Sequence, residues 1–420
     1  MKFTKKVLKN GLRMITAPMK DNKTATVLVL VETGSKYENK KINGLSHFFE
    51  HMCFKGTLKR PKSIDISREL DGLGSQSNAF TSHEFTGYYA KSEAKNLNKI
   101  LDIISDIYLN SNFSKEEIEK EKRVIIEEIN MYEDLPQRKV QQLLMELLYG
   151  DQPAGWSVAG LKENIKNTKR EDFVNYKKDH YVSSATTVVV SGNINEKKVI
   201  KDIEKVFSKI SDLKKKTKLK VIEKQNKPEI ILKYKKTDQT HLALAFRSFD
   251  IFSKWEITAS LLASILGHGM SSRLWQKLRE EMGVCYYVRA NNNSLSDHGF
   301  FEISAGVDNK RVNEVINEIL KEINKLKIEK VSNAELKKAK DFIIGNMYLG
   351  LESSDEIGEF FGLQEIMRQK IKTPDEFAKK IRKVSSSDIQ KLANLIFKKE
   401  KLNLALVGPI KNKSEIKIKF

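Results

Sequence analysis

The chain is poor in several residue types: 420 residues hold 2 cysteines, 7 prolines and 3 tryptophans, and acidic side chains fall well short of basic ones. Cys53 and Cys285 cannot build a disulfide framework, which matches a reducing compartment. No apolar run approaches the roughly 18–20 residues of a membrane span, and the longest, around Ala25–Val31, has the length of a strand. The start, MKFTKKVLKNGLRMITAP, is basic but lacks the apolar block and small-residue cleavage site of a secretory signal. Together these absences predict a cytoplasmic protein with no membrane partner. The net charge is +20, yet the lysines are scattered and no basic cluster is interleaved with aromatics. No nucleic-acid partner is therefore expected. The densest basic run, Lys214 to Lys236, is broken by Pro228 and reads as a solvated linker and edge strand.

What is present can fill a core. Hydrophobic residues make up 40% and charged residues 31%, and the length suggests two domains or one large one. The chain also repeats itself with a period near 215 residues: VLVLV at Val27–Val31 matches HLALAF at His241–Phe246, and TGYYA from Thr86 matches EISAG from Glu302. Helical segments follow in each copy, from Asn96 and Arg311 and then from Ser114 and Ser332. Finally TTVVVSGNI from Thr186 matches LNLALVGPI from Leu402. Strands with hairpin signals beside long amphipathic helices predict an α+β fold: two homologous α/β sandwich units, each a mixed or antiparallel sheet covered by helices. The expected boundaries are 1–212 for the first unit, 213–228 for a lysine-rich linker and 229–420 for the second unit.

The chemistry lies in the first copy. His47-Phe48-Phe49-Glu50-His51 is an H-x-x-E-H string, with Ser46 as a cap candidate and Leu45, Phe48, Phe49 and Met52 as the apolar face. On a helix His47 and His51 share a face with Glu50 beside them, an arrangement suited to a metal and, with imidazole donors, to zinc. A catalytic zinc needs a third protein ligand. The helix from Ser114 offers Glu121 and Glu128, seven residues apart on one face, with Glu127 as a competitor lacking that relation to Glu121. In the second copy Glu121 falls opposite Ala339, Glu128 opposite Asn346, and the histidine helix opposite SLLASILGH. That copy keeps the scaffold without the ligands. His83, His180, His241, His268 and His298 have no ligand spacing and read as structural.

At these residues the sequence resembles the inverted-motif zinc peptidases, specifically the pitrilysin or insulinase family in its two-domain branch with the mitochondrial processing peptidase beta subunit and bacterial relatives. The likeness runs through LKNGLRMI, GLSHFFEHMCFKGT, GSQSNAFTSHEFTGYYA, EKEKRVIIEEINMYEDLP and SSRLWQKLREEMGVCYYV. It implies a zinc-dependent endopeptidase with one Zn2+ per chain on His47, His51 and Glu128, Glu50 as general base and Glu121 as the supporting acid. It further implies that Asn78, Ala79 and Phe80 form a strand edge to which peptide adds, and that Arg279 and Tyr286 hold substrate from the second unit. From residue type alone, Asn78 would be a turn residue and Tyr286 half-buried core. The implied architecture is a clamshell that admits short or unfolded polypeptides, with 210–228 as its hinge. A homodimer is compatible but not chemically required. The alternative is a catalytically silent relative acting as a structural or partner-binding subunit, a class expected to have lost a ligand or the base.

Overall fold

β-Branched residues at alternating positions favour extended chain, and the apolar runs fold as strands. The computed structural model describes residues 2–368 and 370–419. Its strands are β1 (Thr4–Val7), β2 (Arg13–Pro18), β3 (Thr24–Val31), β4 (Gln76–Thr81), β5 (Thr86–Glu93), β6 (Thr186–Gly192), β7 (Glu229–Tyr234), β8 (Gln239–Arg247), β9 (Cys285–Ser294), β10 (Gly299–Asp308) and β11 (Leu402–Gly408). They form a six-stranded sheet in the order β1-β2-β6-β3-β5-β4 and a five-stranded sheet in the order β7-β11-β8-β10-β9. In the first, β2 and β6 run parallel and all other neighbours are antiparallel. In the second, β7 and β11 are the parallel pair. Leaving out β1, the two sheets agree position by position in order and direction, the architecture expected of a duplication. Both sheets are mixed and covered by helices, so the fold is α+β.

Two compact units result, each drawn from separate stretches of chain. The first comprises the chain up to Ile129, Trp156–Leu219 and Tyr348–Thr373, and the second Asn130–Gly155, Lys220–Met347 and Pro374 onward. The helices before the exchange point are α1 (Leu45–Cys53), α2 (Ser63–Gly72), α3 (Leu97–Leu109), α4 (Lys115–Asp134) and α5 (Pro136–Tyr149). Burial explains where the displaced segments go. α5 carries Val140, Leu144 and Leu148 onto Ala243, Ala245 and Ala405 of the second sheet. The Ser354–Arg368 helix carries Ile357 and Phe361 onto Ile15, Leu28, Leu30 and Val189 of the first. Each helix covers a sheet face that would otherwise expose apolar residues to water.

The segment 213–228 has no regular structure but is held side chain by side chain. In the first unit Lys215 Nζ lies 2.6 Å from Glu32 Oε2 and Lys218 Nζ lies 3.1 Å from Glu84 Oε1. In the second, Gln152 accepts the Ile222 N–H at 3.0 Å and donates to its carbonyl at 2.9 Å, while Arg247 donates to Glu223 at 2.9 Å. β7 follows it at the sheet edge.

Candidate metal centre

α1 is a helix because Leu45, Phe48, Phe49 and Met52 bury one face. Phe49 stands 4.3 Å from the ring of Tyr181 and 4.9 Å from Phe113, and Phe48 stands 4.9 Å from Phe173. That aromatic packing fixes the rotation of the helix and leaves His47, Glu50 and His51 on the remaining face. The expected cap is different: Gly44, with φ of 102°, is the N-cap, and Ser46 lies inside the helix with its hydroxyl 2.6 Å from Tyr176 OH. A left-handed φ at that point favours glycine, and the capping acceptor comes from elsewhere, from Glu38.

α4 buries Ile118, Glu121, Ile125 and Ile129 along one stripe. Glu121 and Glu128, two turns apart, therefore look toward α1, while Glu127 is exposed. His47 Nε2 and His51 Nε2 are 3.3 Å apart, and each is 3.6 Å from Glu128 Oε2. One donor atom from each of the three residues falls within a 4.8 Å cluster, the one such group among the described residues. On its other side His51 Nδ1 lies 2.9 Å from Glu121 Oε1, and Lys55 Nζ lies 2.7 Å from Glu121 Oε2. A carboxylate on Nδ1 sets the tautomer that leaves Nε2 as a donor lone pair. Two imidazole nitrogens and one carboxylate oxygen converging on one point are the donor set that suits zinc, so these residues fit the ion.

Electrostatics push the groups apart. Burial, then the neighbouring His51, lowers His47 to a pKa of about 4, against the opposing pull of Glu128. His51 is raised: burial works against its charge, but the Glu121 bond and the surrounding carboxylates outweigh it. Burial raises Glu50, opposed by a 2.5 Å hydrogen bond donated by Thr81 Oγ1 to Oε2. Glu121 is lowered because His51 and Lys55 overcome its burial.

A cavity of about 380 Å³ opens beside these groups, lined by Glu50, His51, Phe54, Ile66, Leu70, Asn78, Ala79 and Glu121. Strand β4 forms one wall. It is the last strand of its sheet, with β5 as its neighbour, and Asn78 is exposed within it, so the residue is part of an edge strand and not of a turn. Phe80, on the opposite face of the strand from Ala79, packs against the cluster that contains Leu28, Leu30 and Phe361. A larger cavity, about 470 Å³, is lined by Tyr149, Arg247 and Asn403 of the second unit and contains none of the expected residues.

Arg279 and Tyr286 meet in that second unit. Arg279 sits in a π-helical turn, Trp275–Glu281, with its guanidinium 4.7 Å from the Trp275 ring centre and 5.0 Å from that of Tyr286, and Nη1 donates to the Tyr286 carbonyl. π-Turns of this kind recur at functional sites. Tyr286 is 73% exposed, so it is not core. The other histidines have partners elsewhere: His83 with Ser35, His241 with Tyr287, His268 with Asn291 and His298 with Asp297, while His180 packs on the ring of Tyr176. Sequence reasoning passed over Lys55, which follows the histidine string by four residues, and Thr81, which closes the SNAFT segment.

Residues 13–161 match the model of the insulinase family, peptidase family M16, and residues 167–342 match that of the peptidase M16 inactive domain. This chain belongs to peptidase family M16. Among similar proteins, the uncharacterized zinc protease YmxG of Bacillus subtilis is 33% identical over 96% of this chain and 97% of its own length. The mitochondrial-processing peptidase subunit beta of Saccharomyces cerevisiae is 29% identical over 96% and 90%. The crystal structure of a protease from Helicobacter pylori superposes with a TM-score of 0.91 at 24% identity, covering 97% of this chain and 99% of that one, a likeness of fold. Membership in M16, with zinc proteases among the relatives, supports a metallopeptidase hydrolase that uses zinc and acts on peptides. No helix among the described residues is long and apolar enough to cross a membrane.

Proposed function

We propose that this chain is a zinc-dependent endopeptidase that cleaves extended polypeptide. The observation that carries the reading is the convergence of His47, His51 and Glu128 beside a buried Glu50 and an edge strand. His47, His51 and Glu128 would hold one zinc ion. Bound there, zinc supplies a Lewis acid that acidifies water and polarises a carbonyl.

The remaining steps belong to the protein's own groups. Glu121 orients the His51 ring. Glu50, held at Oε2 by Thr81, takes the proton of the attacking water and returns it to the amide nitrogen as the C–N bond breaks. The β4 edge from Asn78 to Phe80 pairs with substrate main chain, and this recognises extended backbone ahead of side-chain identity. Arg279 and Tyr286, from the second half of the chain, steady the substrate carbonyl as charge develops on it. In this reading the half 1–212 is catalytic and the half 229–420 supplies the Arg/Tyr pair.

The test is digestion of a peptide library by the full chain, with and without a chelator, followed by zinc add-back and mass spectrometry of the cut sites. Cuts that vanish with chelator and return with zinc are expected. Cuts that persist in chelator overturn the reading, and zinc uptake without any cleavage establishes the silent relative in its place.

A further inference from the structure

The segment Gly34–Glu38, a short turn between β3 and α1, touches both halves of the proposed site at once. Toward α1, Glu38 Oε1 accepts the Ser46 N–H at 2.6 Å, and Oε2 accepts the Gly44 N–H at 2.8 Å and Asn43 Nδ2 at 3.0 Å. Glu38 is buried, and α1 has no capping side chain of its own at its N-cap. The carboxylate therefore satisfies two of the helix's otherwise unbonded N–H groups and complements its dipole, one residue before His47.

Toward β4 the same segment grips the turn Ser82–Phe85, which begins one residue after Thr81. The Ser35 N–H donates to the Ser82 carbonyl at 3.3 Å and the Lys36 N–H to the His83 carbonyl at 2.9 Å. Ser35 Oγ lies 2.9 Å from His83 Nδ1, and Lys36 Nζ donates to Glu84 Oε1 at 2.8 Å, with Lys36 and Glu84 both buried. The approach is so close that a Cβ on Gly34 would stand 2.2 Å from the Ser82 carbonyl oxygen.

We propose that Gly34–Glu38 is a bracket that fixes the offset between the metal-binding helix and the peptide-binding edge strand, with Glu38 and Lys36 as positioning residues. Metal ligands and reacting groups tolerate only about 0.5 Å of misplacement. α1 and β4 are separate elements, and the bracket holds the N-terminal end of α1, beside His47, and the turn that leaves β4 after Thr81. The inference rests on the zinc peptidase reading, and it divides the labour: Glu38 acts on the ligands, Lys36 on the strand.

The experiment measures two quantities on the full chain: the zinc dissociation constant by competition with a chromogenic chelator, and KM and kcat on a fluorogenic peptide at saturating zinc. Glu38→Gln places an amide against two N–H donors and is expected to weaken zinc binding by about tenfold with KM nearly unchanged. Glu38→Asp keeps the charge but not the reach, and is expected to fall between wild type and Glu38→Gln; it also serves should Glu38→Gln fail to fold. Lys36→Met leaves Glu84 paired with Lys218 and is expected to raise KM on the order of tenfold, with zinc affinity unchanged. Wild-type zinc binding with both constants unmoved in folded Glu38 and Lys36 variants overturns the bracket alone. A wild-type chain that takes up no zinc overturns the bracket together with the function it rests on.

Discussion

His51 Nδ1 and Glu121 Oε1 stand 2.9 Å apart, joining the far nitrogen of a candidate ligand on α1 to a buried carboxylate on α4. Such a contact fixes ring orientation and raises ligand basicity, and losing it costs about 10- to 100-fold in metal affinity. Glu121→Gln is therefore expected to weaken zinc binding by that amount. Glu127→Gln, on the exposed side of the same helix, should leave it unchanged. Chelator competition on the two variants checks this, and equal affinities would show that Glu121 does not orient the ligand.

Glu50 supplies none of the three converging donor atoms, yet it lines the adjoining cavity together with His51. Replacing it with glutamine preserves shape and removes the basic oxygen. Glu50→Gln should keep one zinc per chain, read by elemental analysis, and lose about 10²- to 10⁴-fold in kcat. Wild-type turnover by that variant would transfer the proton to another group.

The legible and the illegible parts of the molecule divide along a physical line. Spacing within one element reports which side chains share a face, so His47, Glu50 and His51 could be placed on one side of α1, and Glu121 and Glu128 on one side of α4. The repeat likewise showed two α+β units, because β3 and β8, or β6 and β11, carry the same apolar run. Contacts between elements leave no such trace. Ser46 has the chemistry of a cap, but its hydroxyl is held by Tyr176 across 130 residues, and the capping oxygen belongs to Glu38. The Ser354–Arg368 helix gives no local sign that its partner is the sheet of Ile15, Leu28 and Val189, far back in the chain. Burial decides that, and burial is settled only when both surfaces exist.

Thr81 donates to Glu50 Oε2, a bond that favours the ionised carboxylate and opposes the rise that burial imposes. Removing it in Thr81→Val leaves only the neighbouring His51 to oppose burial, so the pKa of Glu50 moves up. A base works when ionised, so the acid limb of kcat/KM against pH should shift to higher pH by about 0.5–1 unit, with the plateau above it retained. An acid limb that stays in place or moves down would remove Thr81 from the control of Glu50.

His180 is buried against the rings of Tyr176, at 4.5 Å, and Tyr37, at 6.0 Å. Burial lowers its pKa to about 4, with Asp179 opposing and Lys216 adding to the shift. The unfolded chain, with an ordinary histidine near 6.5, then binds the proton more readily than the folded one between those two values. Stability from this group is complete above about pH 6.5 and is lost as pH falls toward 4. Burial also lifts Glu38 to about 7, whose contribution has the opposite sign, so the wild-type curve alone mixes the two. The difference between wild type and His180→Phe isolates the histidine. Measured by urea unfolding, wild type should lose roughly 2 kcal/mol relative to the variant between pH 7.5 and pH 4.5. A difference that does not change with pH would mean that the folded protein accommodates the imidazolium, and that the packing around Tyr37 and Tyr176 is not what keeps His180 neutral.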